Sequence, residues 1–541
     1  MKRLVTLMLA FVFLPVFTIC LFAQATGDYR TQASGNWSSA AIWQVYNGSA
    51  WVNFGTPPDG SQVITVLSTD SVYVDAPVSI ADTLIQQGII EPIDSLTLTI
   101  ADGGILKYDQ NEGTLPKCIW ADGSTLLITG TTDTPPEDRD QDYYNLTFDT
   151  PGLMSNLNMN LNNNTIRGDV RVLNTGEYNN RWYLTSALAN DTSIVTVMGD
   201  VIVEQAEDVA YSNFSVQGTS NANTTFIVHH YGNVIVTGGN FSISRGSQGG
   251  GTTTWYLYDG NFSMENATTQ SSTATPGGAR FVFVKQGTQT LTLGEGNTLN
   301  ALPIEASSGT TLDMGSSGIS GSGIFEVDSG ATVMTSLEGG ISEIFSGLTE
   351  EAIASQVTLA NWSCYGFNGT AAQITSTLMP DSVGGLIINN TAGVTLSQET
   401  LIDGVLRLVD GVFDNTIPFT FGPNGDLITE DGSLVVPVED PVPDVIYSDG
   451  LKIPQAFYVS QNYPNPFNPS TTINFGLPLA SEVTIKVFNI LGQEVVTVFE
   501  GKMPAGEKKL IFDGSNLTSG TYFYQIQAGD NVKIRKMLLI K

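Results

Sequence analysis

The sequence predicts an all-β protein: a long β-solenoid, read as a right-handed parallel β-helix, followed by a small β-sandwich. Three observations lead there. Short apolar runs alternate with period two between clusters of Gly, Asn and Asp. Motifs return about every 20 residues. A proline- and acid-rich stretch separates two segments of opposite charge. The chain has 541 residues, with 22 Lys+Arg against 53 Asp+Glu and a net charge of −31. With 41% hydrophobic residues it can bury a core, so the charge does not signal disorder. So few basic residues cannot build a phosphate-binding patch, which excludes nucleic acid as a partner. The charge is also segregated. Residues 451–541 hold 9 basic and 6 acidic residues, a net +3, whereas the rest, without Lys2 and Arg3, holds 11 and 47, a net −36.

The first element is a leader. Lys2 and Arg3 precede an apolar run from Leu4 to Phe22, and Ala23-Gln24-Ala25 supplies the small-x-small pattern of a cleavage site, so residues 1–25 read as a secretory signal peptide. A retained anchor is the alternative, but Pro15 interrupts the run. Cys20 does not suit lipoprotein processing because bulky Ile19 precedes it. No second apolar segment of spanning length follows, so no transmembrane segment is expected in the mature protein. Cys118 and Cys364 then remain, far apart in the sequence. In a linear repeat they lie many units from each other, which predicts two buried thiols and no disulfide.

The body, residues 26–436, consists of short strands. Leu96 to Ile100, Val170 to Val172, Val234 to Val236, Leu291 to Leu293 and Val405 to Leu408 all alternate, and Phe281-Val282-Phe283-Val284 suits a strand buried on both sides. One helix is expected, from Ser342 to Val357. Ala101-Asp102-Gly103 returns as Ala121-Asp122-Gly123, a shift of 20. Gly309 to Met314 returns as Gly330 to Met334 after a shift of 21, and Gly239 to Ile243 as Gly260 to Met264, also shifted by 21. A Gly-Asp/Asn-Val pattern recurs at Gly168, Gly199 and Gly232, with spacings of 31 and 33. Such a unit is one rung of a stack, since a lone rung cannot bury its inward side chains. A string of Ig-like sandwiches would also give many short strands, but would not repeat a motif at so short an interval. In Tyr144 to Phe148, Phe367 to Gln373 and Gly385 to Leu396 the body resembles bacterial surface β-helix or adhesin-like repeat proteins. That resemblance implies architecture and surface location.

Chemistry is hard to find in the body. The two histidines, His229 and His230, are adjacent and so face opposite sides of a strand, and no G-x-S-x-G, H-E-x-x-H, phosphate-loop or paired C-x-x-C motif occurs. No catalytic residue, metal ligand or cofactor is assigned, and the chain reads as a non-enzyme. The rival is a polysaccharide lyase or hydrolase on the same scaffold, which needs a cleft with convergent carboxylates and a basic residue. Arg167, Arg171, Arg181, Arg245, Arg280, Lys285 and Arg407 are the basic candidates, each scattered singly. Calcium has one candidate site, the acidic cluster from Glu137 to Asp142, which otherwise reads as a solvated loop. The aromatic start, Trp37, Trp43, Tyr46, Trp51 and Phe54, reads as a cover for the first rung. Its functional alternative is a carbohydrate-stacking platform of coplanar, exposed Trp37, Trp43 and Trp51.

Residues 437–453, with Pro437-Val438-Glu439-Asp440-Pro441-Val442-Pro443, read as a stiff linker. Residues 454–541 then contain Tyr463-Pro464-Asn465-Pro466-Phe467-Asn468-Pro469, the alternating run Val483 to Val495 with a turn at Asn489-Ile490-Leu491-Gly492, a second turn at Ser519-Gly520, and the terminal Lys533-Ile534-Arg535-Lys536. The prolines force an extended, turn-rich entry and the turns join alternating strands into a seven-stranded, Ig-like sandwich. These segments resemble the type A C-terminal sorting domain of the type IX secretion system. The resemblance implies an address read by the secretion machinery at the outer membrane. It further implies a product released or attached to surface polysaccharide or lipopolysaccharide, outside a Gram-negative cell. Lys533, Arg535 and Lys536 are expected to give the last strand one cationic docking face. The chain thus reads as an exported, adhesive or structural surface protein, with a carbohydrate-active enzyme or carbohydrate-binding protein as the alternative.

Overall fold

The computed structural model describes residues 24–94, 97–185, 192–217, 225–244, 252–269, 278–294, 297, 299, 302–436, 457–477, 481–503, 506–529 and 531–541. All but the last two residues of the expected signal peptide, the expected linker, Leu96 and Arg245 lie outside the described residues. The chain divides into two compact units, Met1–Pro437 and Val438–Lys541.

The first unit is a parallel β-solenoid. Tyr29–Thr31 pairs in parallel with Ile64–Val66, which pairs with Thr83–Gln86, and the ladder continues through Ile105–Tyr108, Thr125–Ile128 and Asn145–Asp149 to Asp426–Thr429. In such a ladder each residue lies about 4.8 Å from its counterpart one rung away, so a side chain is buried only if its whole column is. Ile64, Leu84, Leu106, Leu126, Leu146, Val170, Val201, Val234 and Phe262 form one column, and none is more than 1% exposed. Each buried Leu or Val in it contributes about 1.5–3 kcal/mol. Two further parallel sheets line the wider part. An eight-stranded sheet runs from Asn164–Ile166 to Val357–Leu359, and a five-stranded sheet from Leu157–Asn158 to Thr268–Thr269. At the N-terminal edge, Trp43–Tyr46 pairs antiparallel with both Tyr29–Thr31 and Trp51–Asn53.

The repeat spacings are the rung lengths. Leu106 pairs with Leu126 and Leu312 with Val333, giving offsets of 20 and 21. Val170 pairs with Val201 and Val201 with Val234, the expected 31 and 33. The glycine pattern that marks these wide rungs is itself a column. A Cβ added to Gly232 would lie 2.1 Å from the Gly199 carbonyl oxygen, and one on Gly260 would lie 1.8 Å from that of Gly232. The Asx residues that follow form a second column. The Asp200 amide donates to Asp169 Oδ1 at 2.9 Å, Asn233 to Asp200 Oδ1 at 2.7 Å, and Asn261 to Asn233 Oδ1 at 3.0 Å.

Three expectations need correction. Gly239 to Ile243 and Gly260 to Met264 do not stack. Asn240 and Phe241 pair with Asn213 and Phe214 in the five-stranded sheet, whereas Phe262 pairs with Val234 in the long sheet. The local rung therefore runs from Val234 to Phe262, longer than the motif spacing, and the two copies lie on different faces. The single helix is two short ones, Ile341–Ile344 and Glu350–Gln356. The second starts where the Thr349 side chain accepts a hydrogen bond from the Ala352 amide. Ser519-Gly520 does not close a hairpin: Gly506–Asp513 pairs with Ser470–Leu477, but Gly520–Ala528 pairs with Ser481–Asn489, so the chain there crosses between sheets.

The second unit has seven described strands in two antiparallel sheets. Tyr458–Val459, Ser470–Leu477 and Gly506–Asp513 form one. Glu494–Met503, Ser481–Asn489, Gly520–Ala528 and Asn531–Leu539 form the other, in that order. Alternate residues Ile473, Phe475, Val483, Ile485, Val487, Tyr524, Ile526 and Met537 make its core. The Asn489 turn is wired by its own side chain, whose Oδ1 accepts from the Leu491 and Gln493 amides.

Gly232→Ala is expected to lower the thermal midpoint of the solenoid by a few degrees, reflecting about 1–3 kcal/mol of overpacking. Gly55→Ala, whose Cβ would meet nothing within 4 Å, leaves it unchanged. Circular-dichroism melts of the two variants make the comparison.

Candidate functional site

The outer face of the eight-stranded sheet gathers aromatic, basic and acidic side chains. His229, Tyr256, Val282, Glu305 and Glu326 occupy one outward row in register. Beside the row, Thr252, Thr254, Tyr256, Arg280, Val282 and Glu305 line an open groove of about 320 Å³. Two carboxylates one rung apart repel, and Arg280 answers both, at 2.8 Å from Glu305 and 3.9 Å from Glu326. Burial, reinforced by Asp328 and Glu326, holds the Glu305 carboxyl above its ordinary range despite Arg280. Next to the groove Tyr231 stacks on Tyr258 at 5.0 Å and His229 on Tyr256 at 6.0 Å, while His229 Nδ1 meets the Tyr258 hydroxyl at 2.9 Å. This group was legible only in part: Arg280 was a candidate, but nothing in the sequence brought Tyr256, Glu305 and Glu326 to it.

The other described basic candidates make local contacts. Arg167 pairs with Asp122 at 2.8 Å and lies over the Tyr144 ring, Arg171 pairs with Asp169, and Arg407 with Glu430. Lys285 Nζ donates to the Asp259 carbonyl, and Arg181 is buried. In the acidic cluster, Asp142 Oδ1 accepts the Thr165 amide at 2.8 Å and Asp138 pairs with Lys117 at 3.5 Å. Among the described residues no three His, Cys, Asp or Glu side chains gather as a metal site. Cys118 and Cys364 are free, partly buried thiols, each raised above the ordinary thiol range by burial. No helix among the described residues is long and apolar enough to cross a membrane.

The three tryptophans are not coplanar and exposed, as the alternative reading of a carbohydrate platform requires. Trp37 and Trp43 are 2% and 0% exposed and meet edge to face at 63°, with Trp43 Nε1 donating to the Trp37 carbonyl and Trp37 Nε1 to that of Pro58. Trp51 is partly exposed and has Arg30 over its ring. Large rings at the end of a stack gain more by filling the space against the first rungs than by staying coplanar in water.

In the second unit the proline motif binds the end of the chain. Phe467 is 2% exposed, its amide donates to the Leu538 carbonyl, and its carbonyl accepts from the Ile540 amide at 3.0 Å. Asn465 Oδ1 accepts the Leu538 amide at 2.8 Å. Asn462 donates to Pro464 and Thr471, and the Thr471 hydroxyl donates to the Pro464 carbonyl. Tyr463 is 74% exposed. Thus Pro464, Pro466 and Pro469 shape a loop whose polar groups close the outer edge of the last strand, and the motif and the terminus are one structure. Residues 461–541 match the family model of the secretion system C-terminal sorting domain. The C-terminal segment is a type IX sorting domain. It makes the chain an exported protein, delivered by type IX secretion to the extracellular space or surface of a bacterium. No curated protein and no solved structure matches the chain.

Within the sorting domain, the expected single cationic face is corrected. Lys533 and Arg535 lie on the same side of the last strand as buried Met537, whereas Lys536 lies on the other side with Ile534 and Val532, because the strand period is two. Arg535 Nε reaches the Val459 carbonyl at 3.2 Å. Gly492 takes a positive φ of 75° that closes the Asn489 turn, Gly520 opens its strand, and Asn468 lies exposed between Phe467 and Pro469.

The histidine pair divides as the strand period requires. His230 faces inward, 0% exposed, and its Nε2 donates to the Gly199 carbonyl at 2.8 Å while Nδ1 has no partner. Burial pushes its pKa down to about 4, so it is neutral. The unfolded chain takes up this proton near 6.5, so His230 costs stability as pH falls from 6.5 to about 4, reaching about 3 kcal/mol and then staying constant. His230→Phe is expected to flatten the fall in stability over that window, measured by denaturant titration against pH.

Proposed function

We propose that the protein is an extracellular structural or adhesive β-solenoid which the sorting domain delivers to the bacterial surface, where the body is released or attached to lipopolysaccharide. The continuous parallel ladder from Tyr29 to Thr429 carries this reading. Its interior is filled by stacked apolar columns, leaving side-chain variety to the outer faces. A rod of this kind presents repeated polar surface, which suits adhesion by many weak contacts. Deleting residues 461–541 is expected to leave the otherwise intact body in the periplasm, as judged by fractionation and by protease treatment of whole cells. Display of the truncated chain at the wild-type level would overturn the export reading.

A second reading is favoured by one observation, the outer-face groove at Tyr256, Arg280 and Glu305. An aromatic ring beside a guanidinium and a carboxyl can hold a sugar chain laid along successive rungs. The −36 charge of the body disfavours an anionic polymer, so the ligand is a neutral glycan. The groove is open to water and holds no protected pair of reacting groups, so it suits binding rather than bond cleavage. Calorimetry with cellohexaose should give at least about tenfold weaker binding for Tyr256→Ala and Arg280→Ala than for the full chain. Equal affinities, or no binding by the unaltered chain, would remove this reading.

A further inference from the structure

The sorting domain exposes more apolar surface on one face than folding explains. The outer face of its four-stranded sheet places Phe488 in register with Phe523 and Lys536, and Lys486 in register with Gln525 and Ile534. Phe488, Asn489, Ile490, Gly492, Phe523, Gln525 and Ile534 line a groove of about 340 Å³. Ile490 and Leu491 at the turn are 70% and 76% exposed, and Ile534 and Val532 are 56% and 47% exposed. Aliphatic residues grouped in this way mark an interaction surface, since leaving them in water gains nothing for the isolated domain.

The turn that holds them is rigid. Besides the two amides bonded to Asn489 Oδ1, the Asn489 amide donates to the Gln493 carbonyl at 3.0 Å, Gly492 to the Asn489 carbonyl at 3.0 Å, and Asn489 Nδ2 to Gln493 Oε1 at 2.9 Å. Ile490 is therefore held in place before any partner arrives, which lowers the entropy lost on association.

The rest of the domain narrows the mode of recognition. Addition of a partner strand to the last strand is blocked from Lys536 to Ile540, because that edge is already used. Gln461 donates to the Lys536 carbonyl, Asn465 accepts the Leu538 amide, and Phe467 bonds Leu538 and Ile540. The apolar groove lies on the broad face beside this closed edge. Its charges balance: Lys536 lies beside Phe523, Lys486 is 2.8 Å from Glu494, and Lys502 is in register with Glu482 while Glu500 is in register with Thr484.

We propose that this face, centred on Phe488, Phe523, Ile534 and Ile490, is where the secretion machinery recognises the domain, through a complementary apolar protein surface. The proposal rests on the assignment of residues 461–541 as a sorting domain. Aromatic and aliphatic side chains supply the buried centre of the contact, and the balanced ring of charges around them stays in water at its rim.

The test uses the full chain expressed in its own host. Ile490→Asp and Ile534→Asp place charge at the centre of the face without touching the core. Each is expected to reduce the surface-exposed fraction at least about tenfold, with full-length protein accumulating in the periplasm. Ile511→Asp is the control, because Ile511 is 67% exposed but belongs to the other sheet. It should leave display unchanged. Thermal midpoints of the purified variants within a few degrees of wild type establish that the domain remains folded. Normal display of both test variants, or equal loss in the control, overturns the proposal. Display of the 461–541 deletion would instead overturn the sorting assignment itself, so the two failures are separable.

Discussion

Each residue in the parallel ladders of the solenoid lies over a counterpart one rung away, because parallel strands share their hydrogen bonds with neighbours about 4.8 Å apart. That constraint turns chemistry into columns. An apolar column from Ile64 to Phe262 fills the interior, a glycine column from Gly168 to Gly260 lets successive backbones approach, and an Asx column lets each carboxyl or amide oxygen accept the next rung's amide. Charge is the one property that stacks badly. Glu305 over Glu326 is tolerated because Arg280 reaches both. The same pairing that relieves repulsion gathers the candidate sugar site.

The two units answer to different physical demands. The solenoid gains stability by adding like rungs, so its length and outer surface vary at little cost to the interior. The sorting domain has no repeat and holds its entry and exit together through a few bonds among Asn462, Asn465, Phe467, Thr471 and Leu538. Its motif is therefore spelled out in the sequence residue by residue, since each member has a specific partner.

The sequence was most readable where a residue has few physical alternatives. Gly168, Gly199 and Gly232 marked true rungs because only glycine allows carbonyl contacts that close. The prolines from Pro464 to Pro469 marked the sorting motif for a similar reason. Misreadings came where one local pattern serves two tertiary places. The Gly-Asn-Phe repeat at Gly239 and Gly260 lies on different sheets, because the rung there runs the longer way from Val234 to Phe262. The tryptophans were legible as a cluster, but whether they lie flat or fill space is decided by the volume beside the first rungs. The cationic face failed on parity, since Lys536 is an odd number of positions from Lys533 and Arg535.

By itself, the sequence determined the all-β class, the short rung of the repeat, the charge segregation and the export address. Those follow from local period, glycine geometry and composition, which act over short stretches of chain. Only the tertiary structure decided which outward side chains meet. Tyr256, Arg280, Glu305 and Glu326 come from four successive rungs, and Phe488, Phe523 and Ile534 from three strands of one sheet. Contacts of this kind depend on how much chain each intervening turn uses, and turn length leaves no periodic trace in the sequence.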